Sequence, residues 1–141
     1  MIRKSPNTTK YLIGATVLAA ALWSVGAQAA NNKHYGVVCL RNDTRAQITY
    51  LHKVGDGGWQ KRFLGPGDAW KFTHRYDDAN EDKSPPIVVK YDQDARSARD
   101  FQHQQQLKRR AAVGDTCQEG HVYAFQYERA NRNFITLELV Q

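Results

Sequence analysis

Apolar side chains in this sequence return at every second position rather than with the spacing of a helix. The clearest case is "AWKFTHRY" (69–76). Trp70, Phe72, His74 and Tyr76 fall on one side, and Lys71, Thr73 and Arg75 on the other. Successive side chains of a β-strand point to opposite faces, so this alternation marks a strand with one buried face. "QITYLHKV" (47–54) repeats it, setting Ile48, Tyr50, His52 and Val54 against Thr49, Leu51 and Lys53. "HYGVVCLRN" (34–42), "WQKRFL" (59–64) and "IVVKYD" (87–92) also read as strands. "HVYAFQYER" (121–129) and "FITLELV" (134–140) predict a hairpin, with Tyr123, Phe125 and Tyr127 facing one way and Ile135, Leu137 and Leu139 lining the return.

The breaks between these runs have the chemistry of turns. "GDGG" (55–58) joins two strands, and Gly and Asp tolerate the positive φ that tight hairpins need. "GPGD" (65–68) breaks the chain again, and "DDANEDKSPP" (77–86) and "QDARSARD" (93–100) are polar loops. "FQHQQQLKRRAAV" (101–113) is the ambiguous segment. Its Gln, Leu, Lys, Arg and Ala favour helix. Phe101, His103, Gln105 and Leu107 nevertheless alternate, and the neighbouring segments are strands, so strand is expected.

Short strands with evenly spaced turns and no β-α-β order predict an all-β fold: a small antiparallel β-sandwich, immunoglobulin-like or related, of seven or eight short strands. The local Cys and Trp pattern of antibody domains is missing.

The N-terminus fixes where the chain is expected to go. Arg3, Lys4 and Lys10 precede an uncharged apolar run from Tyr11 to Val25, which ends near Ala27-Gln28-Ala29. This is the order of a cleaved secretory signal, removed after Ala29. The run is shorter than the roughly 20 apolar residues of a membrane-spanning helix. Residues 1–29 are therefore read as a signal peptide and 30–141 as one domain, with no stable membrane anchor after cleavage. Three of the 20 basic residues lie in the signal, which leaves 17 against 14 acidic ones, a net charge of +3 rather than +6. The exported part is only mildly basic.

Export implies an oxidising compartment, periplasmic or outside the cell, where a lone pair of cysteines joins. Cys39 and Cys117 are that pair, expected to form a disulfide that ties the sandwich across its ends.

Few motifs carry chemistry. No G-x-S-x-G is present, "GDGG" lacks the lysine of a phosphate loop, and no H-E-x-x-H occurs. The carboxylates of Asp77, Asp78, Glu81 and Asp82 and of Asp92 and Asp94 lie in loops but fail the EF-hand pattern. Neither a cofactor nor a metal site is implied. Asn42-Asp43-Thr44 forms a glycosylation sequon. His52, His74 and His103 each occupy the apolar phase of a strand. A histidine there is ordinarily hydrogen-bonded in or beside the core; a pair converging across strands would supply acid–base catalysis.

The one run of three basic residues is Lys108-Arg109-Arg110, with Arg96 and Arg99 upstream. On a strand Lys108 and Arg110 share a face and Arg109 points the other way. Joined by an arginine from the preceding loop, they would attract an anionic polymer or an acidic protein. The competing reading is an exposed edge strand guarded by charge against aggregation.

The reading that follows is an exported binding or interaction module whose partner is an envelope or extracellular protein or an anionic polymer. Two others compete. One is a small secreted basic hydrolase, nuclease-like, working through the histidines. The other is a secreted inhibitor or effector that docks on a protein through its loops, of which 77–86 is the longest.

Overall fold

The computed structural model describes residues 32–81, 83–97 and 99–141. The signal peptide read over residues 1–29 lies outside the described residues. The described chain contains nine strands and no helix: β1 (Tyr35–Asn42), β2 (Ile48–Val54), β3 (Gln60–Leu64), β4 (Ala69–Arg75), β5 (Ile87–Tyr91), β6 (His103–Leu107), β7 (Arg110–Ala112), β8 (His121–Tyr127) and β9 (Ile135–Leu139). They form two sheets. Sheet I has the order β4-β1-β8-β9, with β7 also on β1, and sheet II has the order β3-β2-β5-β6.

Between the sheets lies a core in which most of the alternating sets meet; Val54, Trp70 and Leu139, at the ends of those sets, are exposed instead. Ile48, Tyr50, Leu64, Ile87, Val89, Tyr91 and Leu107 of sheet II pack on Val38, Leu40, Phe72, Tyr123, Phe125, Ile135 and Leu137 of sheet I. The β2–β3 hairpin turns at "GDGG", where Gly55 takes φ +55°, a conformation that costs glycine nothing. The β8–β9 hairpin pairs Tyr123 with Leu139, Phe125 with Leu137 and Tyr127 with Ile135. At one side of the sandwich the Arg62 guanidinium lies 5.0 Å from the Trp70 ring centroid, a cation–π contact that bridges the edge strands β3 and β4.

Three features differ from the sequence expectation. First, there are nine strands rather than seven or eight, because the 101–113 segment breaks. Leu107 ends β6 in sheet II and Arg110 begins β7 in sheet I, so Lys108 and Arg109 form the crossover between sheets. Second, the sandwich is not wholly antiparallel. β8 pairs with β1 in parallel, from Val38 opposite His121 to Asn42 opposite Phe125. A parallel pair needs a long connection, and here all of sheet II lies between its two strands in the sequence.

Third, β1 is buried on both faces. Val38 and Leu40 face sheet II, while Val37 and Cys39 join Ala112 and Val122 in a second small core on the far side of sheet I. The Cys39–Cys117 disulfide, with a Cα–Cα distance of 5.7 Å, seals this second core. It therefore fastens the 113–120 loop to the outside of β1 and does not link the two sheets. The loop comes close enough that a Cβ on Gly120 would lie 2.7 Å from Cγ1 of Val37 and 2.9 Å from its carbonyl oxygen.

Asn42 is fully buried at the end of β1. Its side-chain amide donates to the carbonyls of Ala46 and Leu64, and its oxygen accepts from the amide and hydroxyl of Thr44. The sequon asparagine is thus a structural knot, out of reach of glycosylation in the folded domain.

Candidate functional site

The outer face of sheet II follows from its register. Core residues take one phase of each strand, so the other phase points to solvent. It carries Phe63 and Lys61 on β3, Thr49, Leu51 and Lys53 on β2, Val88 and Lys90 on β5, and Gln104 and Gln106 on β6. Lys61, Leu51, Lys90 and Gln104 form one row across the four strands. None of the four strands contains an aspartate or glutamate.

Aromatic rings sit among these lysines. Trp59, just before β3, is 40% exposed, and its ring centroid lies 5.5 Å from Nζ of Lys53 and 4.5 Å from Nζ of Lys90. Lys90 belongs to the strand beyond β2, so indole and ammonium meet across β2. Phe101, half-buried before β6, has its ring centroid 5.8 Å from Nζ of Lys61. Phe63 is 61% exposed, more than any other large apolar side chain described. Such a surface combines ammonium groups, π-faces that hold them and amides that both donate and accept. It can hold an extended anionic chain.

The basic residues singled out by sequence are not gathered in one place. Arg96 and Arg99 lie in the loop between β5 and β6, and Lys108 to Arg110 lie past the other end of β6. The length of a five-residue strand, roughly 13 Å, separates them. Lys108 and Arg110 are exposed. The backbone of Lys108 is fixed by β8: its N–H donates to the Tyr123 hydroxyl at 3.3 Å. Its carbonyl lies 3.0 Å from Nδ1 of His121, hydrogen-bonding distance when that nitrogen carries the proton.

Arg109 turns inward. Its Nη1 donates to the Pro85 carbonyl, and its buried Nε has no hydrogen-bond partner among the described residues. The stem passes Gly36, where a Cβ would come within 3.0 Å of Arg109 Cδ and 2.4 Å of the Tyr76 hydroxyl. Burial lowers the pKa of Arg109 from its ordinary value.

Each of the three histidines has its ring contacts with tyrosine or phenylalanine. His52 is buried, its ring centroid 5.1 Å from that of Phe72 and 5.9 Å from that of Tyr50. Burial, and secondarily the charge of Arg62, lower its pKa. Tyr50 beside it is pushed up to about 12 by the same burial. His74 contacts Tyr76, and exposed His103 contacts Tyr91. No ring contact among the described residues joins two histidines.

The carboxylates are occupied or dispersed. Asp92 accepts from the Ser97 hydroxyl and from the backbone amides of Asp94, Arg99 and Asp100. Burial acts to raise its pKa, but these hydrogen bonds outweigh burial and hold it below the ordinary range. Asp77 and Asp78 are exposed, and Asp82 lies outside the described residues. No cluster of three or more His, Cys, Asp or Glu suited to a metal ion occurs among the described residues.

Trp59, Phe101, Lys53, Lys61 and Lys90 were not singled out by sequence. The available signal was the outward phase of β2, β3 and β5, which carries lysine without any acidic residue.

No known protein family, no characterised protein and no solved structure matches this chain.

Proposed function

We propose that this chain is an exported binding module of immunoglobulin-like or related sandwich type, and that the outer face of sheet II takes an extended acidic polysaccharide. The disulfide supports export, since such bonds persist in oxidising compartments, the periplasm or the cell exterior. The observation that carries the binding reading is a four-stranded face with Lys53, Lys61 and Lys90, two aromatic rings and no carboxylate on any of its strands.

Charge complementarity selects a polyanion. The glutamines along β6 favour a sugar chain, because each amide supplies a donor and an acceptor that match sugar hydroxyls. Trp59 offers the flat apolar surface on which a pyranose ring stacks.

The test uses residues 30–141 with the disulfide intact, titrated with a labelled acidic polysaccharide, a neutral glucan and single-stranded RNA. Expected is binding to the acidic polysaccharide alone. With three lysine contacts and phosphate-like counterion release, affinity falls about 20- to 40-fold between about 50 and about 200 mM salt. Trp59→Ala weakens binding by about tenfold, the scale of one stacked ring, while leaving the fold intact. Tighter binding to RNA would reassign the face to nucleic acid, and cleavage of that RNA would move the reading to the nuclease-like alternative. Binding to none of the polymers would refute the proposal.

A further inference from the structure

A second feature lies where the Gln104–Gln106 row of β6 ends. A groove of about 220 Å³ opens between the Ser84–Pro86 segment and the Gln106–Arg109 segment. Pro85, Pro86 and Leu107 supply its apolar walls, Ser84 and Gln106 its neutral polar groups, and Lys108 and Arg109 its charges. Arg109 is the unusual member. Its side chain lies in the sheet crossover beside Gly36 and donates to the Pro85 carbonyl. No ion pair to it occurs among the described residues. Its neutral partner, the Pro85 carbonyl, takes one nitrogen only.

A partly desolvated guanidinium ordinarily has an anion beside it, because taking the charge out of water is costly unless it is paired. A guanidinium is planar, its fork matches the planar carboxylate, and it is more weakly hydrated than an ammonium.

We infer that this groove is a carboxylate subsite, in which Arg109, flanked by Lys108, binds a uronic-acid unit of the polysaccharide lying on sheet II. The inference rests on the polysaccharide reading above and adds to it a preference for carboxylated over sulfated sugars. Lys53, Lys61 and Lys90 respond to charge of any kind. Arg109 responds to the shape of the anion.

Labelled oligogalacturonate and a sulfated oligosaccharide of the same length and charge are the probes. They are titrated into the exported domain and into its Arg109→Met and Arg109→Lys variants. Wild type is expected to prefer the uronate about tenfold. Arg109→Met is expected to lose that preference while keeping its affinity for the sulfated chain, and Arg109→Lys to keep only part of it. Arg109 also clasps Pro85, so unfolding midpoints are read beside the titrations. If Arg109→Met does not fold, sodium galacturonate is titrated into wild type and the backbone amide NMR signals are followed. Shifts confined to Gln106, Leu107 and Lys108 support the subsite, and their absence at saturation overturns it. Equal preference in wild type and folded Arg109→Met also overturns it, while leaving the sheet II reading in place. Failure of both probes to bind wild type removes the sheet II reading and this inference with it.

Discussion

Opening the Cys39–Cys117 bond is expected to cost more than any single side-chain truncation on the surface. The bond joins residues 78 apart. In the chain-entropy treatment, removing a cross-link over that separation frees the unfolded chain by about 4.5 kcal/mol at room temperature. A domain of this size has a total stability of about 5–15 kcal/mol, so the loss removes between about a third and nearly all of it. On reduction the folded state loses little directly, because the Cys39 thiol stays packed against Val37, Ala112 and Val122. The effect therefore belongs mainly to the unfolded state, which gives a second observable. A chain without the cross-link unfolds to a more expanded ensemble, so the denaturant slope m should rise as the midpoint falls. Urea titration of the oxidised domain against the same domain kept reduced with dithiothreitol measures both. A loss below about 1 kcal/mol with unchanged m would refute the entropic argument.

Other perturbations separate the remaining structural claims. His52 has a folded pKa below its unfolded one, so the unfolded state takes up its proton first as pH falls through about 6.5, and stability declines from there to the folded pKa. His52→Leu should flatten that part of the stability profile between about pH 7.5 and 5.5, seen as a smaller shift in urea midpoint. Asp92 works in the opposite range: its depressed pKa stabilises the fold above about pH 4 and the benefit disappears as pH falls through the folded value. Asp92→Ala should lose about 2 kcal/mol or more at neutral pH, measured by urea unfolding, and should then lose less further stability on acidification than wild type does. Gly120→Ala forces a methyl against Val37 and should cost about 1–3 kcal/mol, read from the thermal midpoint.

Much of the architecture was visible in single segments. "AWKFTHRY" told its buried face from its exposed one, because β4 has solvent on its outer side and core on its inner side. The β8–β9 hairpin was legible for the same reason. β1 was harder. Its run of buried residues reflects the 113–120 loop lying on its outer side, and nothing local in "YGVVCLRN" announces that cover. The segment 101–113 read as one strand because its alternation up to Leu107 is regular; the crossover at Lys108-Arg109 is decided by partners on β8, far along the chain. The same limit hid the candidate site. Lys53, Lys61 and Lys90 are scattered in sequence, and only strand register makes them neighbours. The contiguous Lys108-Arg109-Arg110, by contrast, is split by the crossover, with two side chains outward and one in.

The placement of β1 has a consequence for the order in which the domain can be completed. The first strand of the described chain occupies the middle of sheet I, between β4 on one edge and β7 and β8 on the other. During synthesis, β1 and β4 can meet early, but the opposite edge of β1 waits for residues after 109. Cys39 waits equally for Cys117. Contacts so distant along the chain make closure slow compared with local hairpins. A chain emerging from its N-terminus therefore keeps its central strand half-paired and its cysteine unjoined until most of it has arrived, and the last quarter or so of the polypeptide acts as the latch.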